Sequence, residues 1–185
     1  FTRMVAHGET GSLEGQDERN QTQIDHLPDN IELLKLVKPA VIAMAHTASS
    51  YTLGKSNEAD LIKKLEGKYE TRFITAFGSV VKALNHINAK KIAFGTPYSE
   101  QNTLRCKHLL EAYGFEIVSF GNLPGVKNIY DETTQRALEL VRQVNSPAAQ
   151  AIFVSGVGMP TIDILAQGEA ETGKPVISSI AATMW

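Results

Sequence analysis

One cysteine, Cys106, occurs in 185 residues. An internal disulfide and a CxxC metal pair are therefore excluded, and a reducing compartment such as the cytoplasm is the default expectation. No apolar run approaches the ~20 residues that a membrane-spanning helix needs. No charged-then-apolar segment opens the chain as a signal peptide would. Lysine and arginine nearly balance the acids, for a formal net charge of −2. They are scattered, so the basic stripe that marks a nucleic-acid binder is missing. Neither GxGxxG nor a lysine-bearing phosphate loop is found, and Gly-x-Ser-x-Gly, the nucleophile elbow of α/β-hydrolases, does not occur. His7, His26, His86 and His108 have no ligand-like spacing, so no metal site is expected.

Short apolar runs that end in turn chemistry are what the chain does contain. Val41–Ser50 reads V-I-A-M-A-H-T-A-S-S, small or apolar residues giving way to a histidine and hydroxyls. Such a run predicts a strand buried on both faces, as in a parallel sheet. Ligands of open α/β sheets bind just beyond the carboxyl ends of such strands. Lys90–Thr96 and Ala149–Ser155 are two further runs of this kind, and Ser155-Gly156-Val157-Gly158 forms a second turn like the first.

Between the runs, residues at spacings of three and four predict helices. Phe1–Glu18 reads as an irregular loop, followed by a helix from Gln23 that Pro28 divides. Ser56–Asp60 carries the chemistry of a helix start, with a stop at Gly67. Strands are expected at Ala40–Ala45, Phe73–Ala76, Phe115–Phe120 and Val176–Ser179, and helices at Gly78–Ile87, at Glu100–Tyr113 and from Asp131 or Thr133 to Val144. Another is expected from Pro160 to Glu171, and the start of one more at Ala181–Trp185. Alternating strands and helices predict a parallel, doubly wound α/β architecture.

The candidate chemistry sits in the turns. His46 ends a strand, and an ordinary pKa near ~6.5 suits a proton acceptor or donor; it equally suits a histidine bonded into the turn to hold its shape. Thr47, Ser49 and Ser50 place hydroxyls beside a helix N-terminus, able to hold a carboxylate or phosphate or simply to cap the helix. Gly156 and Gly158 permit close backbone approach to a small anion, with N–H donors around it. Tyr98, after the strand of Thr96, can orient a substrate oxygen or stand as a loop tyrosine. Cys106 lies mid-helix, away from every turn, and reads as structural.

Four segments, Val41–Gly54, Lys90–Tyr98 with its following helix, Ala151–Asp163 and Lys174–Trp185, carry a resemblance to the aspartate/glutamate/hydantoin racemase superfamily. The nearest branch is that of maleate cis-trans isomerase and arylmalonate decarboxylase. G-K-P-V-I-S-S-I-A-A-T-M-W at the end is the most specific match. The resemblance implies two similar Rossmann-like parallel-sheet halves with a site in the cleft between them. It places a first half at residues 1–88, completed by 176–185, and a second at 89–175.

The resemblance also implies cofactor-free chemistry on a small carboxylic acid held by backbone amides and hydroxyls, in an isomerase- or decarboxylase-like enzyme. In that branch a cysteine from each half works across the substrate. Here His46 and Gly156 stand at those positions, and Ile180 replaces an asparagine of the motif. Thr47, Tyr98, Val157 and Gly158 fall on positions that line the family's anion pocket. His46 is then the candidate proton-transfer group, and a catalytically silent carboxylate-binding protein is the alternative. No membrane or nucleic-acid partner is implied, and the oligomeric state is left open. Set against the branch, a strand is expected before Phe1 and a helix after Trp185.

Overall fold

A computed structural model describes residues 12–185. The expected loop over residues 1–11, and His7 with it, lies outside the described residues. The described residues form six strands and eight α-helices in the order α1 (Gln16–Asp25), α2 (Leu27–Lys35), β1 (Val41–Met44), α3 (Thr47–Tyr69), β2 (Arg72–Thr75), α4 (Ala76–His86), β3 (Lys91–Thr96), α5 (Glu100–Ala112), β4 (Glu116–Asn122), α6 (Thr134–Val144), β5 (Ala151–Val154), α7 (Leu165–Thr172), β6 (Val176–Ser178) and α8 (Ser179–Met184). Every strand pair is parallel. Strands β1 and β2 form one sheet, and a second has the order β4-β3-β5-β6. The predicted α/β class with two parallel-sheet halves is what the chain adopts.

Burial on both faces holds for β3 and β5 but not for β1, where Val41 and Ala43 are exposed and only Ile42 and Met44 are buried, because the small two-stranded sheet is covered on one face by the described residues. All four residues of β5 are buried, and β3 is buried from Ile92 to Thr96. Phe77, Phe94 and Phe153 are wholly inaccessible in one cluster, and each contributes about 2–3 kcal/mol by leaving water. A second cluster packs α6, through Leu138, Leu140 and Val141, onto the other face of the larger sheet. Leu27, Ile31, Ile42, Met44 and Phe73 form a third around the smaller sheet.

Several expected boundaries shift for identifiable reasons. Residues 16–18 are helical rather than loop. The helix expected from Ser56 forms the second arm of α3, and a first arm precedes it from Thr47, where the His46 ring caps it by accepting from the Ser49 N–H. Gly54 breaks α3 with φ 73°, and Gly67 does not end it; Glu70, left-handed at φ 50°, does. A 3-10 turn at Ile162–Ile164 separates Pro160 from α7. Strand β6 pairs with β5 in the larger sheet. Helix α8 leaves that strand and packs on α4.

Candidate active site

The carboxyl ends of β1, β3, β5 and β6 converge on one cavity of about 330 Å³, the crevice that parallel sheets leave for ligands. His46 and Thr47 enter it after β1, Tyr98 after β3, Val157 and Gly158 after β5, and Ile180 from the first turn of α8. Two turns distant in sequence therefore face one space, together with the tyrosine expected there.

The fourth wall was not legible as a site. Helix α1 turns Gln16, Arg19, Asn20 and Gln23 toward the cavity. Their spacing of i, i+3, i+4, i+7 is that of one helix face, but the face is polar, and Gln16, Arg19 and Asn20 are buried. A search for apolar stripes passes over such a helix. Ser12, Ile129 and Tyr130 complete the rim, and neither Asp nor Glu is among the described lining residues.

His46 is held by its own helix. Its Nδ1 lies 2.8 Å from Ser49 Oγ and accepts the Ser49 N–H at 3.3 Å. An Nδ1 that accepts places the ring proton on Nε2. The ring is packed deep among protein atoms yet keeps a partly exposed edge on the cavity. Burial, and then the positive charge of Arg19, lower its pKa from 6.5 to about 4. Contrary to the expectation from an ordinary histidine, it does not titrate near neutrality.

Ser49 and Gly156, expected as ligand contacts, are absent from the lining. Ser49 is fully buried and spends its hydroxyl and amide on His46. Gly156 shapes its turn with φ 98°, and a Cβ there would meet Pro97 at 3.0 Å and Met159 at 3.1 Å. Val157 and Gly158 carry the lining instead. Behind them, Ser155 is inaccessible and bonds the Tyr51 hydroxyl at 2.5 Å. Burial raises the pKa of Tyr51 and Tyr98 and pushes the Cys106 thiol up to about 12. Cys106 is wholly inaccessible and does not reach the cavity.

Four buried side-chain atoms have no hydrogen-bond partner among the described residues: Asn20 Oδ1, Thr47 Oγ1, Thr161 Oγ1 and Ser179 Oγ. Asn20 and Thr47 both line the cavity. The first-turn amides of α3 have no partner within their own helix, as at any helix start. A lining arginine, with no carboxylate among the described lining residues, gives the cavity a chemistry that favours negative charge. No described group of three or more His, Cys, Asp or Glu is arranged to hold a metal ion. No described helix is long and apolar enough to cross a membrane.

Known proteins share sequence and fold with this chain. A maleate isomerase of Alcaligenes faecalis is 27% identical over 123 residues, 65% of this chain and 49% of that protein. The chain spans about half the length of the curated relatives it matches. Among solved structures, a maleate isomerase of Pseudomonas putida, crystallised with maleate, superposes with a TM-score of 0.88 at 21% identity, covering 100% of this chain and 74% of that one. A maleate cis-trans isomerase of Nocardia farcinica holding a covalently bound succinylcysteine intermediate gives a TM-score of 0.83 at 23% identity, covering 98% and 75%. These likenesses establish the fold. The sequence model of arylmalonate decarboxylase matches residues 12–185, and the chain belongs to the arylmalonate decarboxylase family.

Proposed function

We propose that the cavity binds a small carboxylic acid and that the chain belongs to a cofactor-independent enzyme of isomerase or decarboxylase type. One observation carries this reading: a cavity of about 330 Å³ lined by Arg19, hydroxyls and turn amides, with no described carboxylate. The carboxylate sits against Thr47 and the Val157–Gly158 turn, between halves at 1–88 and 89–175. In such chemistry, loss of carbon dioxide or of a proton leaves an enediolate, and oriented N–H donors stabilise the charge as it forms.

His46 serves this purpose in its neutral form. Its Nδ1 is engaged by Ser49, so Nε2–H is the donor that remains to the ring. A neutral imidazole whose pKa is depressed at a helix N-terminus polarises an oxygen without carrying charge of its own. We therefore assign His46 to donation toward the developing oxyanion, with proton transfer as its lesser use. Both this assignment and a cytoplasmic setting remain part of the proposal.

The silent carboxylate-binding reading rests on a separate observation. The Nocardia farcinica isomerase holds its intermediate on a cysteine. The only thiol of this chain is buried, away from the cavity, and no such adduct can form on it.

Calorimetry with malonate and maleate, followed by proton NMR of phenylmalonate and maleate in the presence of the protein, separates the readings. Binding with loss of carbon dioxide or of the cis alkene supports the enzyme. Binding without turnover at any pH supports the silent receptor. No binding of either acid overturns the carboxylate reading.

A further inference from the structure

Asn20 has an amide that its surroundings orient. Its Nδ2 donates to Ala48 O at 3.4 Å and to Thr52 Oγ1 at 3.2 Å. Flipping the amide would set Oδ1 against the Ala48 carbonyl, acceptor against acceptor, so the network fixes Nδ2 toward α3 and leaves Oδ1 as the free acceptor. The residue is wholly inaccessible, lines the cavity, and has Oδ1 without a partner among the described residues. An amide oxygen only accepts. Leaving it buried and unmatched carries a full desolvation cost, which a ligand that donates at this point would remove.

Thr47 Oγ1 is the second buried, unpartnered oxygen on the same cavity. As a hydroxyl it can accept from a ligand or donate to one. Helix α1 thus presents an acceptor, while α3 presents a hydroxyl beside amide donors. A plain carboxylate satisfies the donors and leaves Asn20 Oδ1 unmatched. A hydroxyl carried beside the carboxylate would bring the donor that Asn20 Oδ1 lacks. An ammonium group would also donate, but the Arg19 cation acts within this space, as its effect on His46 shows, and disfavours a second positive charge there.

We infer that the preferred ligand is a 2-hydroxy carboxylic acid, with Asn20 as the residue that selects the hydroxyl. The assignment rests on the carboxylate reading of the site and narrows it. Sites built to hydrogen-bond a substrate hydroxyl discriminate strongly against the analogue lacking it, because the buried partner is then left unpaired.

The test is calorimetric titration of the whole chain with three matched acids: hydroxymalonate, malonate and aminomalonate. Hydroxymalonate is expected to bind roughly tenfold or more tightly than malonate, with aminomalonate weakest. In Asn20→Leu the advantage of hydroxymalonate over malonate should fall to within about twofold. Equal binding of hydroxymalonate and malonate by the unmodified chain overturns the inference and leaves the carboxylate reading standing. Tightest binding of aminomalonate also overturns it. Absence of binding by all three overturns both. The comparison on the unmodified chain decides the matter even if Asn20→Leu fails to fold.

Discussion

Ser50 donates its hydroxyl to Glu58 Oε1 at 2.6 Å, and this bond crosses the break that Gly54 makes in α3. The Glu58 carboxylate is only 1% exposed, and its other oxygen accepts from the Tyr113 hydroxyl at 3.2 Å. Two hydroxyls thus stand between a buried carboxylate and an unsatisfied state, and one of them ties together the two arms of a broken helix.

Ser50→Ala should consequently destabilise the chain by about 2 kcal/mol, the range for losing a bond to a buried charged group. Tyr113→Phe should cost less, near ~1 kcal/mol, since Tyr113 is only partly buried and water can reach the edge it leaves. Urea denaturation at neutral pH measures both. Equal and negligible losses would show that Glu58 is satisfied in some other way.

The His46 ring makes stability depend on acidity in a defined window. Its pKa is lowered to about 4 in the folded chain against ~6.5 when unfolded. Between these values the unfolded chain binds a proton that the folded chain does not, so stability falls as pH falls from about 6.5 to about 4. The loss attributable to this ring is at most about 3 kcal/mol. Stability of His46→Gln, followed by urea midpoints from pH 7 to pH 4, should decline less than that of the unmodified chain. Parallel curves would refute the burial argument. Turnover, if present, should show no histidine limb near neutrality.

Placing a thiol at position 156 should not restore cysteine chemistry. Gly156→Cys forces a side chain onto φ 98° and drives its Cβ against Pro97 and Met159. A cost of about 1–3 kcal/mol is expected from the backbone conformation. The readout is the urea midpoint together with turnover of maleate. An unchanged midpoint would contradict the geometry, and newly gained isomerisation would show that the turn can rearrange.

Cys106 should be inert in the native chain. Its thiol is wholly inaccessible, with a pKa pushed up to about 12 by burial, and only a thiolate attacks an alkylating or disulfide reagent at useful rates. Reaction with Ellman's reagent should be negligible natively and complete in denaturant. Rapid native labelling that leaves ligand binding intact would place the thiol nearer the surface.

The buried strands were the legible part of this fold. Ile92–Phe94 and Ala151–Val154 are apolar on both faces, and parallel pairing explains them without further information. The turns after β1 and β5 were legible for the same reason, since a strand that stops at hydroxyls and glycines must present them at its end. What did not show was the wall opposite. The inward face of α1 is Gln16, Arg19, Asn20 and Gln23, and a polar stripe looks like a solvated one until something is found to cover it. The first arm of α3 was not legible because a histidine, rarely read as a cap, starts it.

Helix α1 is docked by bonds rather than by oil. Asp17 meets Arg105 at 2.6 Å, Gln16 accepts from Asn102 at 3.0 Å, and Asn20 reaches α3. Contacts of this kind bury little apolar area and so carry little heat capacity, while the ion pair among them is screened by salt. The same protein therefore has walls of two thermodynamic characters around one cavity. Cooling weakens the apolar packing behind β3 and β5, whereas ionic strength acts first on α1.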